Sequence, residues 1–247
     1  MRRTDELTEL QTEIETSANA IAELGTVIVT GGASGLGAAV AEAIAERGGQ
    51  PVVLDIAEPS NGFARELVDL SRPRDAEQAV TRIAEREGLN AVVTAAGIDA
   101  CGRLEDVPAE DWERVVAVNL LGTAAIVRAA LPYLERTRGR VVTVASTLGL
   151  RALSDASAYC ASKFGVVGFS RALAAETAGR VGVTCLIPGG MQTAFFDDRD
   201  PQYKPGPDAD LAPPSEVAQA VLFALTRPPG IELRELIVTP SGETSWP

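Results

Sequence analysis

The stretch Thr26-Val-Ile-Val-Thr-Gly-Gly-Ala-Ser-Gly-Leu-Gly37 decides the fold prediction. The run Thr26–Thr30 is β-branched throughout and predicts a buried strand. The glycines after it let the backbone turn tightly, and an Ala-rich helical pattern begins at Gly37. A helix N-terminus after such a turn offers free N–H groups and a positive dipole end to a phosphate. The stretch therefore indicates a phosphate-binding turn, with a purely structural turn as the alternative.

Apolar strand patterns alternate with helical patterns along the rest of the chain. Strands that are apolar on both sides are typical of buried parallel sheets, so we expect one α/β domain with a doubly wound parallel sheet and helices on both faces. The predicted strands are Thr26–Thr30, Pro51–Leu54, Ala91–Thr94, Arg140–Val144, Val181–Ile187 and Glu235–Thr239, with a weaker one near Arg65–Asp69. The predicted helices are Gly37–Arg47, Asp75–Glu87, Ala109–Thr137, Ala156–Ala178 and Ser215–Leu225.

The composition excludes several classes of function. The chain has 247 residues, a formal charge of −12 and no His. Without His there is no Ser-His-Asp triad, no His general base and no His-ligated zinc, and we expect no bound metal. The acidic charge argues against nucleic acid and anionic membranes as partners. Acid–base chemistry near neutral pH must therefore use Asp, Glu, Tyr, Lys or Cys.

The cysteines and the apolar runs bear on the cellular compartment. Cys101, Cys160 and Cys185 are too few and too scattered for a disulfide framework or a C-x-x-C metal knuckle. The N-terminus has no secretory signal pattern, and no apolar run reaches the roughly 18 residues that a membrane span needs. We therefore expect reduced thiols and a cytoplasmic protein.

An acidic residue follows the second predicted strand. Asp55 lies at the position where a carboxylate can accept both ribose hydroxyls of an adenosine and repel a 2′-phosphate. No Lys or Arg stands in the glycine turn or directly after Asp55. The pattern predicts NAD rather than NADP as the cofactor, with a plain strand-end turn as the alternative.

A Tyr–Lys pair lies at the start of a predicted helix. Tyr159 and Lys163 are four residues apart and so share one helical face. A phenol has a pKa near 10 and is a poor base at neutral pH, but a nearby ammonium favours the phenolate. Ser146 ends a predicted strand, where its hydroxyl could polarise a substrate carbonyl beside the phenol. Alone, the Tyr–Lys pair would be read as a surface pair; with the turn and Ser146 it indicates catalysis.

Together these residues resemble the short-chain dehydrogenase/reductase family over about residues 26 to 240. The resemblance implies a Rossmann-type fold and hydride transfer between a nicotinamide and a carbonyl or alcohol carbon. The matching motifs are Thr30-Gly-x-x-x-Gly-x-Gly37, Asp55, Asn119, Ser146, Tyr159-x-x-x-Lys163 and Pro188-Gly189.

The resemblance also implies a role for each catalytic residue. Tyr159 is the general acid/base, and Ser146 holds the substrate oxygen. Lys163 binds the nicotinamide ribose and lowers the pKa of Tyr159. Asn119 shapes its own helix and anchors a water for proton relay.

Further positions are predicted to contact the cofactor by the same resemblance. Asp69 and Leu70 lie beside the adenine, while Pro188, Gly189 and Thr193 border the nicotinamide and its carboxamide. The full predicted set is Gly31, Ser34, Gly35, Leu36, Gly37, Asp55, Ile56, Asp69, Leu70, Ala95, Ala96, Gly97, Tyr159, Lys163, Pro188, Gly189, Met191 and Thr193.

Two segments depart from the family pattern. Thr94-Ala95-Ala96-Gly97 stands where the family has Asn-Asn-Ala-Gly, so hydrogen bonds that usually steady the sheet are expected to be lost. The C-terminal segment, Val238-Thr-Pro-Ser-Gly-Glu-Thr-Ser-Trp-Pro247, also differs from the tail that many relatives carry, so the family's subunit packing is not carried over to it.

The domain division places a helical extension before the catalytic domain. Residues 1–25 are predicted to form an amphipathic helix that packs either against a partner subunit or on its own domain. Residues 26–247 are predicted to form the dinucleotide-binding catalytic domain. The apolar residues at heptad positions a and d are Leu7, Leu10, Ile14, Ile21 and Leu24.

The substrate is predicted to be a medium-sized, largely apolar secondary alcohol or ketone. The segment Gly190–Leu211 lies where relatives carry a substrate lid, and its apolar residues could instead simply pack that lid. The predicted substrate-binding residues are Ser146, Leu148, Leu153, Tyr159, Phe195 and Phe196.

The sequence leaves three functions open. The first is an NAD-dependent alcohol dehydrogenase. The second is an NADPH-dependent reductase of 3-oxoacyl or polyketide chains, and the third is a non-catalytic cofactor-binding protein. By resemblance, the protein is expected to form a homotetramer or homodimer through the helices Ala109–Thr137 and Ala156–Ala178.

Overall fold

A computed structural model describes residues 24–60 and 62–243 of the chain. The helix predicted over residues 1–25 lies outside the described residues, except for Leu24 and Gly25, and Trp246 lies outside them as well. Leu24 is buried in the core of the domain.

Seven parallel strands form one sheet within the described residues. The strands are β1 (Thr26–Thr30), β2 (Gln50–Asp55), β3 (Ala64–Leu67), β4 (Ala91–Thr94), β5 (Arg140–Val144), β6 (Gly182–Pro188) and β7 (Glu235–Val238). Their order is β3-β2-β1-β4-β5-β6-β7, and every neighbouring pair is parallel. The order reverses between β1 and β4, which is where open parallel sheets bind ligands.

Helices cover both faces of the sheet. They are α1 (Gly35–Glu46), α2 (Pro73–Glu87), α3 (Ala109–Val116), α4 (Thr123–Thr137), α5 (Ser157–Glu176) and α6 (Pro214–Leu225). Successive side chains of a strand point to opposite faces. Accordingly, Ile28 joins the core under α2, α4 and α5, while Val27 and Val29 join the core under α1 and α6. The predicted single-domain, doubly wound α/β fold is confirmed.

The predicted elements are present within the described residues, with ends that differ from the predicted ones by at most two residues. One helix differs in kind. The predicted helix Ala109–Thr137 is α3 and α4 joined by a π-helical turn, Ala117–Gly122, with Asn119 inside it. Such turns often occur at functional sites.

The stretch Ala109–Thr137 also bears on the membrane question. By length and composition it could cross a membrane, since an 18-residue window has a mean hydropathy of 1.7. It is the one such helix among the described residues, and 44% of that window is buried inside the fold. Its second half packs on α2 and on the sheet, as a core helix does.

Candidate active site

A cavity of about 670 Å³ opens at the carboxyl ends of the strands. It is lined by loops that follow β1, β2, β4, β5 and β6, together with the start of α5. The cavity brings together all of the predicted cofactor and substrate residues and three of the four predicted catalytic residues. The fourth, Asn119, is buried behind the wall. Motifs spread over the whole chain therefore meet in one place.

The glycine turn is shaped for a close-approaching anion. Gly31 and Gly35 have φ of 71° and 54°, where side chains are strained. A Cβ on Gly31 would lie 2.7 Å from the Cα of Ala96, and a Cβ on Gly37 would overlap the carbonyl of Gly31. Ser34 caps α1 without a side-chain hydrogen bond to its N–H groups, and the first turn of α1 has no acidic residue. These features fit a pyrophosphate.

Asp55 lies at the far end of the cavity, at the end of β2. Its Oδ2 accepts the N–H of Ala33 at 2.9 Å, and its Oδ1 accepts the N–H of Ala57 at 3.1 Å. Among the described residues it forms no ion pair, so its charge is available to repel a 2′-phosphate. The carboxylate also retains acceptor capacity for ribose hydroxyls.

Ser146, Tyr159 and Lys163 meet at the other end. Ser146 hydrogen-bonds the Tyr159 hydroxyl, and the Nζ of Lys163 lies 5.6 Å from the centre of the Tyr159 ring. Burial raises the pKa of Tyr159 to about 12, although the bond with Ser146 opposes the shift. Burial also lowers the pKa of Lys163 to about 8. These side chains alone therefore do not produce the lowered Tyr159 pKa that the resemblance implies.

Asn119 acts as a brace behind the cavity. Its Oδ1 accepts the N–H of Ile98, and its Nδ2 donates to the carbonyl of Ile98, each at 2.9 Å. The same Nδ2 donates to Ser162 Oγ at 3.0 Å, and Ser162 donates to the carbonyl of Tyr159. Both amide hydrogens are therefore used within the fold.

The loop after β4 shows the effect of the sequence departure there. The N–H of Ala96 bonds the hydroxyl of Thr30 at 3.1 Å, which holds the loop beside the glycine turn. Among the described residues, the buried hydroxyl of Thr94 has no hydrogen-bond partner. The side chain of Thr94 therefore adds no hydrogen bond to this loop among the described residues.

Aromatic rings cover Tyr159 from the segment after β6. The rings of Phe195 and Tyr159 lie 5.6 Å apart, and those of Phe195 and Phe196 lie 5.5 Å apart edge to face. Arg199 stacks over both Phe rings and forms an ion pair with Asp99 at 2.8 Å. Neither Asp99 nor Arg199 was predicted as a site residue, since no motif marks them.

Further charged residues of the cavity wall were also missed. They come from α3, the segment after β6 and the C-terminal segment, and none belongs to a recognisable motif. These residues are Arg114, Asp208, Asp210 and Glu243.

The geometry agrees with what comparison with known proteins finds. The family model for short chain dehydrogenases matches residues 25–204. The chain belongs to the short-chain dehydrogenase/reductase family. Its members use NAD or NADP, and the related dehydrogenases act on CH–OH groups.

Individual relatives span most of the chain. An L-fucose dehydrogenase from Mus musculus is 31% identical, with 89% of each protein covered. A D-threitol dehydrogenase from Mycolicibacterium smegmatis is 36% identical, with 79% of this chain and 84% of the relative covered. An alcohol dehydrogenase from Thermococcus sibiricus, solved in complex with 5-hydroxy-NADP, is 25% identical with a TM-score of 0.75, covering 87% of this chain and 95% of that one.

Proposed function

We propose that this protein is an NAD-dependent dehydrogenase that interconverts a secondary alcohol and a ketone. The observation that carries the proposal is the convergence of Ser146, Tyr159 and Lys163 at one end of a cavity whose other end holds the glycine turn and Asp55. A non-catalytic cofactor-binding protein would have no need of this acid–base group.

The chemistry divides between the cofactor and the chain. A bound nicotinamide supplies the acceptor for the hydride that leaves the carbinol carbon. Tyr159 takes the hydroxyl proton as phenolate during oxidation, or gives it to the forming alkoxide during reduction. Ser146 hydrogen-bonds the same oxygen. The Lys163 ammonium stabilises the phenolate by its charge and binds the ribose.

Asp55 supports NAD over NADP. A 2′-phosphate would meet the Asp55 carboxylate at close range. The cations that line the cavity form no ion pair with Asp55, so they do not neutralise its charge; they are Arg114, Lys163 and Arg199. The Thermococcus sibiricus relative in complex with 5-hydroxy-NADP makes NADP the alternative cofactor. An NADPH-dependent 3-oxoacyl or polyketide reductase is accordingly the second candidate.

The wall beside Tyr159 supports a medium-sized substrate with an apolar body. Leu148, Leu153, Phe195 and Phe196 line this part of the cavity. The named relatives act on sugars or a polyol, so a neutral, oxygen-bearing alcohol fits the proposal too.

Assembly and location are part of the same proposal. Leu121 and Phe164 are 50% and 45% exposed on the π-helical turn and α5, which supports a homotetramer or dimer through these helices. Three free cysteines support a cytoplasmic protein.

The test is a titration with NADH and NADPH, followed by a panel of alcohols and ketones at two pH values. Tighter NADH binding and turnover of secondary alcohols are expected. Tighter binding of NADPH would favour the reductase, and cofactor binding without any turnover would favour the non-catalytic protein.

A further inference from the structure

Asp99 and Arg199 form an almost buried ion pair beside the reacting groups. Their side chains are only 7% and 18% exposed, and Arg199 Nη2 lies 2.8 Å from Asp99 Oδ2. The same oxygen accepts the thiol of Cys101 at 3.2 Å, and Asp99 Oδ1 accepts the N–H of Ala100 at 2.7 Å. Asp99 is therefore held on its own loop and presents its charge to Arg199.

Arg199 itself belongs to the wall of the catalytic cavity. Its guanidinium lies 4.9 Å from the ring centre of Phe195, which in turn packs on Tyr159. It also bonds the carbonyl of Tyr203 through Nη1, while its buried Nε has no partner among the described residues. An unpaired cation in this position would attract a substrate carboxylate near the reacting carbon. Arg199, however, is already paired with Asp99.

The remaining charges around the cavity do not favour a carboxylate on the substrate. Lys163 donates a hydrogen bond to the main-chain carbonyl of Val144, and Arg114 interacts electrostatically with Asp69. Carboxylates outnumber cations in the described lining. The carboxylates are Asp55, Asp69, Asp208, Asp210 and Glu243, and the cations are Arg114, Lys163 and Arg199.

We propose that Asp99 determines the substrate class of this site: by neutralising Arg199, it restricts the proposed dehydrogenase to uncharged alcohols and ketones and excludes hydroxy acids. The inference rests on the proposed function. A substrate carboxylate that approached Arg199 would have to share its single positive charge with Asp99, which would leave two carboxylates against one cation at a desolvated site. A neutral alcohol or polyol meets no such penalty.

The experiment compares short 3-hydroxy acids with their methyl esters, because each pair shares a carbon skeleton and differs in charge. Oxidation with NAD is measured for the wild type, for Asp99→Asn and for Glu105→Gln. Asn keeps the size of Asp and can still accept from Arg199, so the variant changes charge with little change of shape. Glu105→Gln is the matched control, since it removes an exposed acid of the same loop that pairs with Arg103.

The wild type is expected to prefer the ester in every pair. In Asp99→Asn, the ratio of kcat/KM for acid to ester is expected to rise by about tenfold or more, because Arg199 becomes an unpaired cation at low dielectric. Glu105→Gln is expected to keep the wild-type ratio. A wild type that prefers the acids, or an unchanged ratio in Asp99→Asn, would overturn the inference.

A binding measurement separates this inference from the proposed function. Benzoate, a small apolar carboxylate, is titrated into the chain without cofactor and followed by calorimetry. Asp99→Asn is expected to bind it at least tenfold more tightly than the wild type. Equal affinities would overturn the role of Asp99 whether or not any alcohol is oxidised, while a gain of binding without turnover would count against the proposed function alone.

Discussion

The ammonium of Lys163 donates a hydrogen bond to the main-chain carbonyl of Val144, with 2.8 Å between Nζ and O. Val144 is the last residue of β5, two positions before Ser146, whereas Lys163 lies one helical turn after Tyr159 on α5. This bond therefore ties the helix that carries the phenol to the strand end that carries the hydroxyl. It also holds the ammonium of Lys163, a residue that is only 3% exposed, close to the Tyr159 ring.

The burial of Lys163 predicts a pH dependence of stability. Its pKa falls to about 8 in the folded chain, from 10.5 for an ordinary lysine. Between those values the unfolded chain keeps a proton that the folded chain has released, so raising the pH through this window favours the folded state. The free energy of unfolding of the wild type minus that of Lys163→Met is expected to rise across the window, as measured by urea unfolding.

The subtraction matters because other titratable groups act in the opposite direction. Burial raises the pKa of Cys101 from 9.0 to about 12. Between these values the folded chain keeps a proton that the unfolded chain releases, so this thiol makes the folded state less stable as the pH rises. Lys204→Met, at the exposed second lysine, serves as the control variant. A flat difference for Lys163→Met would contradict the burial argument.

Replacing Tyr159 by Phe should separate chemistry from binding. The ring and its contact with Phe195 remain, so cofactor affinity should stay near the wild-type value. Loss of the proton-transferring hydroxyl should lower kcat by about 10²- to 10⁴-fold. Tyr133→Phe on α4 is the matched control, and fluorescence titration of NADH with steady-state kinetics gives both readings. Substantial turnover by Tyr159→Phe would refute its role.

The pH dependence of activity follows from the same phenol. Burial places the pKa of Tyr159 at about 12 in the chain without cofactor, so the phenolate is a small fraction near neutral pH. Oxidation of an alcohol needs the phenolate, so its rate should increase as the pH rises. Reduction of a ketone needs the phenol, so its rate should not increase with pH. Rates of both directions at saturating cofactor test this, and an oxidation rate that falls with rising alkalinity would contradict it.

The predictable part of the site is the part built from local motifs. The glycine turn, Asp55 and the Tyr159–Lys163 pair each follow a strand or open a helix, so the order of elements alone brings them to one edge of the sheet. The ion pair of Asp99 and Arg199 joins positions 100 residues apart, and no local pattern encodes such a contact. The π-helical turn escaped prediction for a related reason, since the bonds of Asn119 to Ile98 are tertiary.

Asp55 should control the choice between the two nicotinamide cofactors. Replacing Asp55 by Asn removes the charge that repels a 2′-phosphate and weakens the acceptors for the ribose hydroxyls. The ratio of the dissociation constants for NADPH and NADH should fall by about tenfold or more. Titrations of both cofactors measure this, and Glu58→Gln controls for the loss of a nearby exposed acid. An unchanged ratio would remove Asp55 from the cofactor site.

Asn119 should matter chiefly for stability. Asn119→Ala leaves the N–H and carbonyl of Ile98 and the hydroxyl of Ser162 without their buried partner. The free energy of unfolding should fall by about 2–3 kcal/mol, the cost of leaving buried polar groups unsatisfied. Ser162→Ala removes one of these three bonds, besides the bond that Ser162 donates to the carbonyl of Tyr159, and should cost less, as urea unfolding can show. Equal costs for the two variants would contradict the bracing role.

Glu243 should support the nicotinamide end of the cofactor site rather than the adenosine end. Its Oε2 accepts the N–H of Gly190 at 3.0 Å, directly after the Pro188-Gly189 turn. Glu243→Ala removes this acceptor and loosens the loop, so the dissociation constant for NADH should rise several-fold. The dissociation constant for ADP-ribose, which has no nicotinamide, should stay unchanged.

Two control variants accompany this prediction. Glu243→Gln retains an acceptor oxygen and should bind NADH nearly as the wild type does. Glu235→Gln, which breaks an exposed ion pair on β7, is the control. Equal weakening of NADH and ADP-ribose by Glu243→Ala would place the effect on the whole cavity and contradict a local role for the C-terminal segment.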